Sequence, residues 1–291
     1  MEENYFSSCP VCNASRINQL TGYSKDYLVQ CENCKFVFAQ RIPTLPELIA
    51  HYETYPRTNS ISDITIKRYN ELLDYFEGFR NTNNIIDVGC GDGFFLETAK
   101  KRGWNVYGTE YTDIAIKICN EKGITMHQGK LDTSNYAVDF FDVITSFEVI
   151  EHINNPTEEI QNFAGIIRKG GIVYVTTPNF NSAARLYLKN TWTVIEYPEH
   201  LSYYTRKTLS YLFEKNGFKT IRFQTTGISF NRIQSSQLKA ESKPTPLVNT
   251  DEVLRSKSET NPLFKLAKKA VNTLLTISSK GDTLKGTFEK N

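Results

Sequence analysis

The chain has almost no net charge: 34 Lys and Arg against 32 Asp and Glu leave +2 at pH 7 over 291 residues. A surface this balanced has no strong field to steer it onto nucleic acid. No apolar run approaches the roughly 18 residues that a bilayer-spanning helix needs. The opening Met1-Glu2-Glu3-Asn4 has no basic stretch and no apolar stretch behind it. No signal peptide is therefore expected, and a cytoplasmic location is the expectation. There is no internal repeat. At 40% hydrophobic and 23% charged residues, the composition is that of an ordinary globular protein. The length suits one large domain or two smaller ones.

Cysteine is scarce and unevenly placed. Four of the six fall early, as Cys9-Pro-Val-Cys12 and, eighteen residues on, Cys31-Glu-Asn-Cys34. Two such knuckles match a structural zinc ribbon, in which each pair of thiolates grips one side of a tetrahedral ion. Residues 1–42 are too few to bury much core, so the metal would supply folding energy directly. Two alternatives fit less well. Disulfides suit a secreted chain, and a redox role needs one activated pair, not two matched ones. Basic residues are few here (Arg16, Lys25, Lys35 and Arg41), so a structural or substrate-covering module is expected over a nucleic-acid binder. Cys90 and Cys119 read as packing residues.

The most telling stretch is Asp87-Val88-Gly89-Cys90-Gly91-Asp92-Gly93-Phe94, which follows Ile85-Ile86 and opens a helical pattern. A strand, a glycine turn and a helix start let backbone approach a ligand closely beside free N–H groups. The spacing is Gly-x-Gly-x-Gly, not the Gly-x-Gly-x-x-Gly of dinucleotide enzymes. A βα alternation then runs on. Strands are expected at 84–88, 105–110, 125–128, 142–147, 172–177 and 219–226. Helices are expected at 93–102, 113–122, 156–167 and 206–216. This predicts a mostly parallel, doubly wound sheet with its ligand at the strand C-terminal ends. A connector with a short helix from Pro46 and an amphipathic helix over 64–79 occupy residues 43–80. Residues 81–230 form the main domain. Residues 231–280 break the rhythm, with a polar loop at 235–260 and a basic amphipathic helix at 262–277. That helix is expected to pack on the domain, with contact to a membrane or lipid-linked substrate as the alternative. A final strand is expected at 281–291.

Val-Gly-Cys-Gly-Asp-Gly resembles the first motif of the class I S-adenosylmethionine (SAM) methyltransferases. Three further motifs follow in that family's order, at Gly108-Thr109-Glu110-Tyr111, Gln128-Gly129-Lys130-Leu131 and Phe141 to His152. The likeness covers about residues 64–230. It implies a Rossmann-like α/β fold with a doubly wound, seven-stranded sheet, whose last strand is antiparallel and encloses 231–280 as an insertion. It implies SAM as cofactor, held by Asp87, Gly89, Cys90, Gly91, Gly93, Glu110, Tyr111, Leu131, Ser146 and Phe147. Glu110 suits the ribose, because a carboxylate offers two acceptor oxygens. Tyr111 would lie near the adenine. The amphipathic helix before the first sheet strand often covers the cofactor in this family.

Transfer of a methyl group from a sulfonium needs close in-line approach and a deprotonated acceptor. His200 and His152 are candidate bases, with Glu151 beside them. Glu148, Glu151, His152 and His200 also form a candidate divalent site, for Mg2+ or Mn2+, that would acidify one hydroxyl of a diol. Glu-x-x-Glu-His with a later His resembles the metal site of small-RNA 2′-O-methyltransferases and the spacing in ubiquinone-pathway O-methyltransferases. Thr177-Pro178-Asn179 is expected to line the acceptor pocket. Tyr187, Trp192, Tyr197, Tyr203 and Tyr204 either stack on a sugar or close a core. A zinc ribbon joined to a methyltransferase domain resembles bacterial sugar and polysaccharide methyltransferases. O-methylation of a sugar or nucleotide sugar is therefore the leading expectation. The alternatives are an RNA-modifying enzyme and a SAM-binding module without catalysis.

Overall fold

A computed structural model describes residues 4–44, 46–48, 61–240 and 262–291. The expected helix from Pro46 is helical at residues 46–48, and its remainder lies outside the described residues. The N-terminal part holds five short strands: β1 (Asn4–Tyr5), β2 (Ile17–Gln19), β3 (Leu28–Cys31), β4 (Val37–Ala39) and β5 (Arg41–Ile42). Next come α1 (Asp63–Phe76), β6 (Asn84–Val88), α2 (Phe94–Lys101), β7 (Asn105–Glu110), α3 (Asp113–Glu121), β8 (Thr125–Gln128) and β9 (Phe141–Phe147). The chain continues through α4 (Pro156–Ile166), β10 (Ile167–Pro178), α5 (Ala183–Leu188), β11 (Ser202–Tyr203), α6 (Arg206–Lys215) and β12 (Phe218–Thr226). It closes with α7 (Phe230–Ala240), α8 (Pro262–Ser278) and β13 (Thr283–Lys290).

Seven strands form one sheet in the order β12-β13-β10-β9-β6-β7-β8. The pairs β10–β9, β9–β6, β6–β7 and β7–β8 are parallel, while β13 runs antiparallel to both neighbours. The chain winds outward from β6 in both directions, so the sheet switches direction between β6 and β9, where a doubly wound fold places its ligand. Helices cover both faces, which is why β6 and most of β9 are buried throughout. Asp142 anchors this centre. Its carboxylate accepts three backbone N–H bonds, from Asn81 and Asn83 at 2.8 Å and Thr82 at 3.0 Å, and one from Arg168 Nε at 2.6 Å.

The polar stretch expected to be a loop from residue 235 begins instead as helix, because α7 runs to Ala240. Ser236 explains why a polar residue serves there. It is fully buried, and its hydroxyl accepts the N–H of Thr193 at 3.1 Å. Residues 241–260 of that reading lie outside the described residues. The ribbon is also less separate than its sequence suggests. Strands β2, β3 and β4 form an antiparallel sheet whose fourth strand is β11, from between α5 and α6 of the main domain. Cys9, Val11, Cys31, Phe36 and Phe38 share one buried cluster with Tyr204, Leu209 and Phe213. Lys215 Nζ caps the Val11 carbonyl at 2.8 Å.

Candidate active site

The glycine loop is pinned to the end of β7 by the N–H groups of Gly89 and Cys90, which donate to the Thr109 carbonyl at 3.1 and 3.0 Å. Gly89, Gly91 and Gly93 all have left-handed φ values, between +54° and +72°, which a side chain disfavours. Their surroundings differ. A Cβ on Gly93 would meet Cys119 Sγ and Ile124 Cδ1, both at 2.7 Å, and one on Gly89 would meet Val149 at 2.6 Å. A Cβ on Gly91 would point into open space. Gly91 is therefore open on that side, whereas the other two are small because protein packs on them.

Glu110, at the end of β7, reaches back to this loop. One carboxylate oxygen accepts the Gly91 N–H at 3.1 Å and the other accepts the Tyr111 N–H at 2.8 Å. A carboxylate has about four lone-pair sites, so each oxygen retains capacity for one hydroxyl of a diol. This donor arrangement fits an adenosyl ribose. Tyr111 is 54% exposed, and its carbonyl accepts from Gln128 Nε2 at 3.2 Å. Asp87 lies beneath the loop, buried, and accepts the Thr145 hydroxyl at 2.7 Å. Burial pushes its carboxyl up to about 8, against the Thr145 hydrogen bond. Ser146 is buried at the end of β9, and Phe147 stands beside Phe95 at 5.0 Å and Tyr69 of α1 at 6.2 Å. Leu131 turns its side chain into the core. Cys90 Sγ lies 3.9 Å from both Cys119 Sγ and Met126 Sδ, in sulfur packing against α3 and β8.

The glycine loop touches Val149, and two residues later stands Glu151. Two hydrogen bonds bring distant chain together here: Leu201 N–H to the Glu151 carbonyl at 2.8 Å, and the Ser202 hydroxyl to the Ile153 carbonyl at 2.8 Å. His152 and His200 consequently meet with ring centroids 4.8 Å apart. His152 Nδ1 lies 2.8 Å from the Glu199 carbonyl, and His200 Nδ1 bonds the Val194 carbonyl. A carbonyl only accepts, so in each ring the hydrogen sits on Nδ1 and the neutral ring's lone pair on Nε2. Burial lowers the His200 pKa, which favours the neutral ring. Glu151 is buried, and its Oε2 has no hydrogen-bond partner. Burial, followed by the charge of Glu148, raises its pKa.

One ligand atom each of Glu151, His152 and His200 lies within 4.8 Å of those of the other two. Glu148, expected as the fourth member, does not join them. Its backbone turns left-handed at φ +53°, with its N–H bonded to the Thr176 carbonyl at 2.9 Å, and its side chain is exposed. The expected lining residue Asn179 is fully buried. Its amide donates to the carbonyls of Ser279 and Gly281 at 3.1 and 2.7 Å. It ties β10 to the start of β13 and does not face a ligand. Trp192, Tyr203 and Tyr204 are buried, so these three close a core, while Tyr197 supports Arg41 through its hydroxyl at 2.8 Å. Thr145 and Thr176, which hold Asp87 and the Glu148 turn, were invisible in the sequence. Each is one threonine in a strand, with no spacing signal.

At the ribbon, all four cysteines are free thiols. Cys9 Sγ lies 3.6 Å from Cys34 Sγ, and Cys12 Sγ 3.5 Å from Cys31 Sγ. The four sulfurs all lie within 4.8 Å of one another. A tetrahedral zinc with Zn–S near 2.3 Å separates its sulfurs by about 3.8 Å. The four thiols are therefore already spaced as a ligand shell.

Comparison with known proteins agrees with this geometry. A family model described as a methyltransferase domain matches residues 62–222. The ubiquinone biosynthesis O-methyltransferase of Nitrosomonas europaea is 30% identical over 148 residues, covering 48% of this chain and 63% of that protein. The Colwellia psychrerythraea protein of the same name is 34% identical over 116 residues, 38% of this chain and 47% of that protein. The chain thus spans less than two thirds of the length of these curated relatives. Among solved structures, a SAM dependent methyltransferase from Archaeoglobus fulgidus superposes with a TM-score of 0.52 at 18% identity, covering 85% of this chain and all of that one. A geranyl diphosphate C-methyltransferase from Streptomyces coelicolor gives 0.50 at 13% identity, over 77% and 79% of the two chains. These two likenesses concern the fold alone. With more than half its length matched, and with strand order and glycine loop in agreement, the chain belongs to the class I SAM-dependent methyltransferase domain family.

Proposed function

We propose that this protein transfers a methyl group from SAM to a hydroxyl of a small-molecule acceptor. The observation that carries the reading is the meeting of Glu151, His152 and His200 two residues beyond the point where the glycine loop touches Val149. When bound, SAM supplies an electrophilic methyl on its sulfonium. The chain's part is to hold the ribose through Glu110, keep water from the loop with Tyr69 and Phe147, and take the acceptor's proton. A hydroxyl proton would pass to Nε2 of His200 or His152, each ring being oriented by its Nδ1–H bond to a carbonyl. The same donors suit a divalent ion, which would acidify the hydroxyl. Two imidazoles and one carboxylate favour Mn2+ over Mg2+.

The four ribbon cysteines would hold a structural zinc. Their thiol spacing supports this, and one zinc per chain in purified protein is expected. Two acceptor classes are put forward. The ribbon-plus-domain likeness favours sugars or nucleotide sugars, and the curated relatives' names favour hydroxylated ubiquinone precursors. Purified protein should be assayed for acceptor-dependent formation of S-adenosylhomocysteine with both classes. With a working acceptor, His200→Ala and His152→Ala should each lower kcat about 100-fold while leaving SAM affinity within about twofold. Full activity in the double variant would sink the reading. Loss of activity on mild chelation, restored by Mn2+, would select the metal form over the metal-free base.

A further inference from the structure

Helix α8 is mounted with its polar side inward. Hydrogen bonds fasten it to the domain: Asn272 Oδ1 accepts the Gly227 N–H at 3.0 Å, the Thr276 hydroxyl donates to the Thr225 carbonyl at 3.0 Å, and the Thr225 hydroxyl donates to the Leu275 carbonyl at 2.6 Å. The opposite face carries Leu266, Val271, Leu274 and Ile277, which are 48–75% exposed. On a helix of 3.6 residues per turn these four lie within one apolar arc. A contiguous exposed arc of this kind marks a surface that meets something apolar. The helix also carries Lys265, Lys268 and Lys269 and no acidic residue. Its C-terminal end adjoins α5, whose Ala183 N–H bonds the Lys280 carbonyl at 3.0 Å, and Leu186 and Tyr187 one turn further along α5 are exposed as well.

We propose that α8 is a membrane-docking helix that lies in the plane of an anionic lipid surface. The apolar arc would enter the acyl boundary while Lys269, exposed beside Leu266, meets phosphate headgroups. Charge decides between this and a second copy of the chain. Two α8 helices face to face would bring the exposed Lys269 of one toward that of the other with no carboxylate on either helix, whereas an anionic bilayer complements it. The docked surface extends to α5, at the C-terminal edge of β10, so an amphiphilic acceptor could pass from the lipid to the site without crossing water. The docking itself rests on α8 and not on the identity of the acceptor.

The test is co-sedimentation of the full-length protein with vesicles of phosphatidylcholine alone and of phosphatidylcholine mixed with phosphatidylglycerol. Binding to the mixed vesicles, weakened by salt, is expected. The variant Leu266→Ser/Leu274→Ser/Ile277→Ser removes only exposed side chains and should keep its Tm while its vesicle affinity falls at least about tenfold. Lys269→Glu should lower affinity for the mixed vesicles about fivefold or more. Failure to bind the mixed vesicles would overturn the proposal, as would triple-variant binding equal to that of the parent. A dimer in solution that the triple variant dissolves, with no vesicle binding by the parent, would assign the face to self-association instead and equally overturn it.

Discussion

Three glycines with similar backbone angles carry different burdens. Gly91→Ala adds a methyl to open space, so its structural cost is the left-handed φ alone, about 1–2 kcal/mol. That methyl would stand in the cofactor cleft, so SAM affinity should fall at least about tenfold in calorimetry while the fold survives. Gly93→Ala pays the same φ cost and also collides with Cys119 and Ile124. It should lose about 3 kcal/mol or more in denaturant unfolding. Normal SAM binding by Gly91→Ala would remove Gly91 from the site. Asp87 makes a second residue-level test. Its folded pKa, raised to about 8 by burial, exceeds the unfolded value near 3.9. The folded state therefore keeps a proton that the unfolded state releases, and the stability of the SAM-free protein should fall as pH rises from about 4 to 8. Asp87→Asn should flatten that slope in Tm against pH and weaken SAM binding. An unchanged slope would refute the assignment.

Among elements, Asp142 joins the segment before β6 to β9 and, through Arg168, to β10. Burial opposes its charge, but Arg168 and three backbone N–H groups outweigh that and lower its pKa. Asp142→Ala would strand those donors and should cost about 3 kcal/mol at neutral pH. Because the folded pKa is depressed, the Asp142 contribution is present above about pH 4 and is lost as pH falls below that. Urea midpoints of the parent and variant should therefore converge in acid. The helical period of α8 was legible, but not its mounting. An amphipathic pattern implies an apolar side inward, and only the partners offered by Thr225 and Gly227 on β12 and its following turn reverse that choice.

For the whole molecule, the ribbon is the informative part. Strand β4 pairs with β11 at Phe38–Ser202 and Val37–Tyr203, and the Thr157 hydroxyl caps the Pro10 carbonyl at 2.6 Å. A module so fastened should not unfold alone. Calorimetry of the full chain is expected to show one transition, and removal of zinc by a strong chelator should lower that transition as a whole. A separate early transition would show an independent ribbon. The fusion also bears on chemistry, since β11 begins two residues after His200 and the intervening Leu201 bonds both Ala39 and Glu151. The ribbon thereby steadies the strand that delivers one of the two histidines.

What the sequence determined by itself is what local spacing controls. Cysteine pairs separated by two residues, a glycine turn between a strand and a helix, an acid at the next strand's end and a βα alternation all lie within short stretches of chain. Each short stretch can carry its own physical reason. They sufficed for the family, the seven-stranded sheet and the cofactor. The tertiary structure decided what depends on chain segments far apart. It brought His200 to His152 through bonds made by Leu201 and Ser202, left Glu148 outside that group, and turned Asn179 into a brace. It also merged the ribbon with β11 and faced the apolar side of α8 outward. None of these has a periodicity, because each depends on which distant backbone group is there to accept or donate a hydrogen bond.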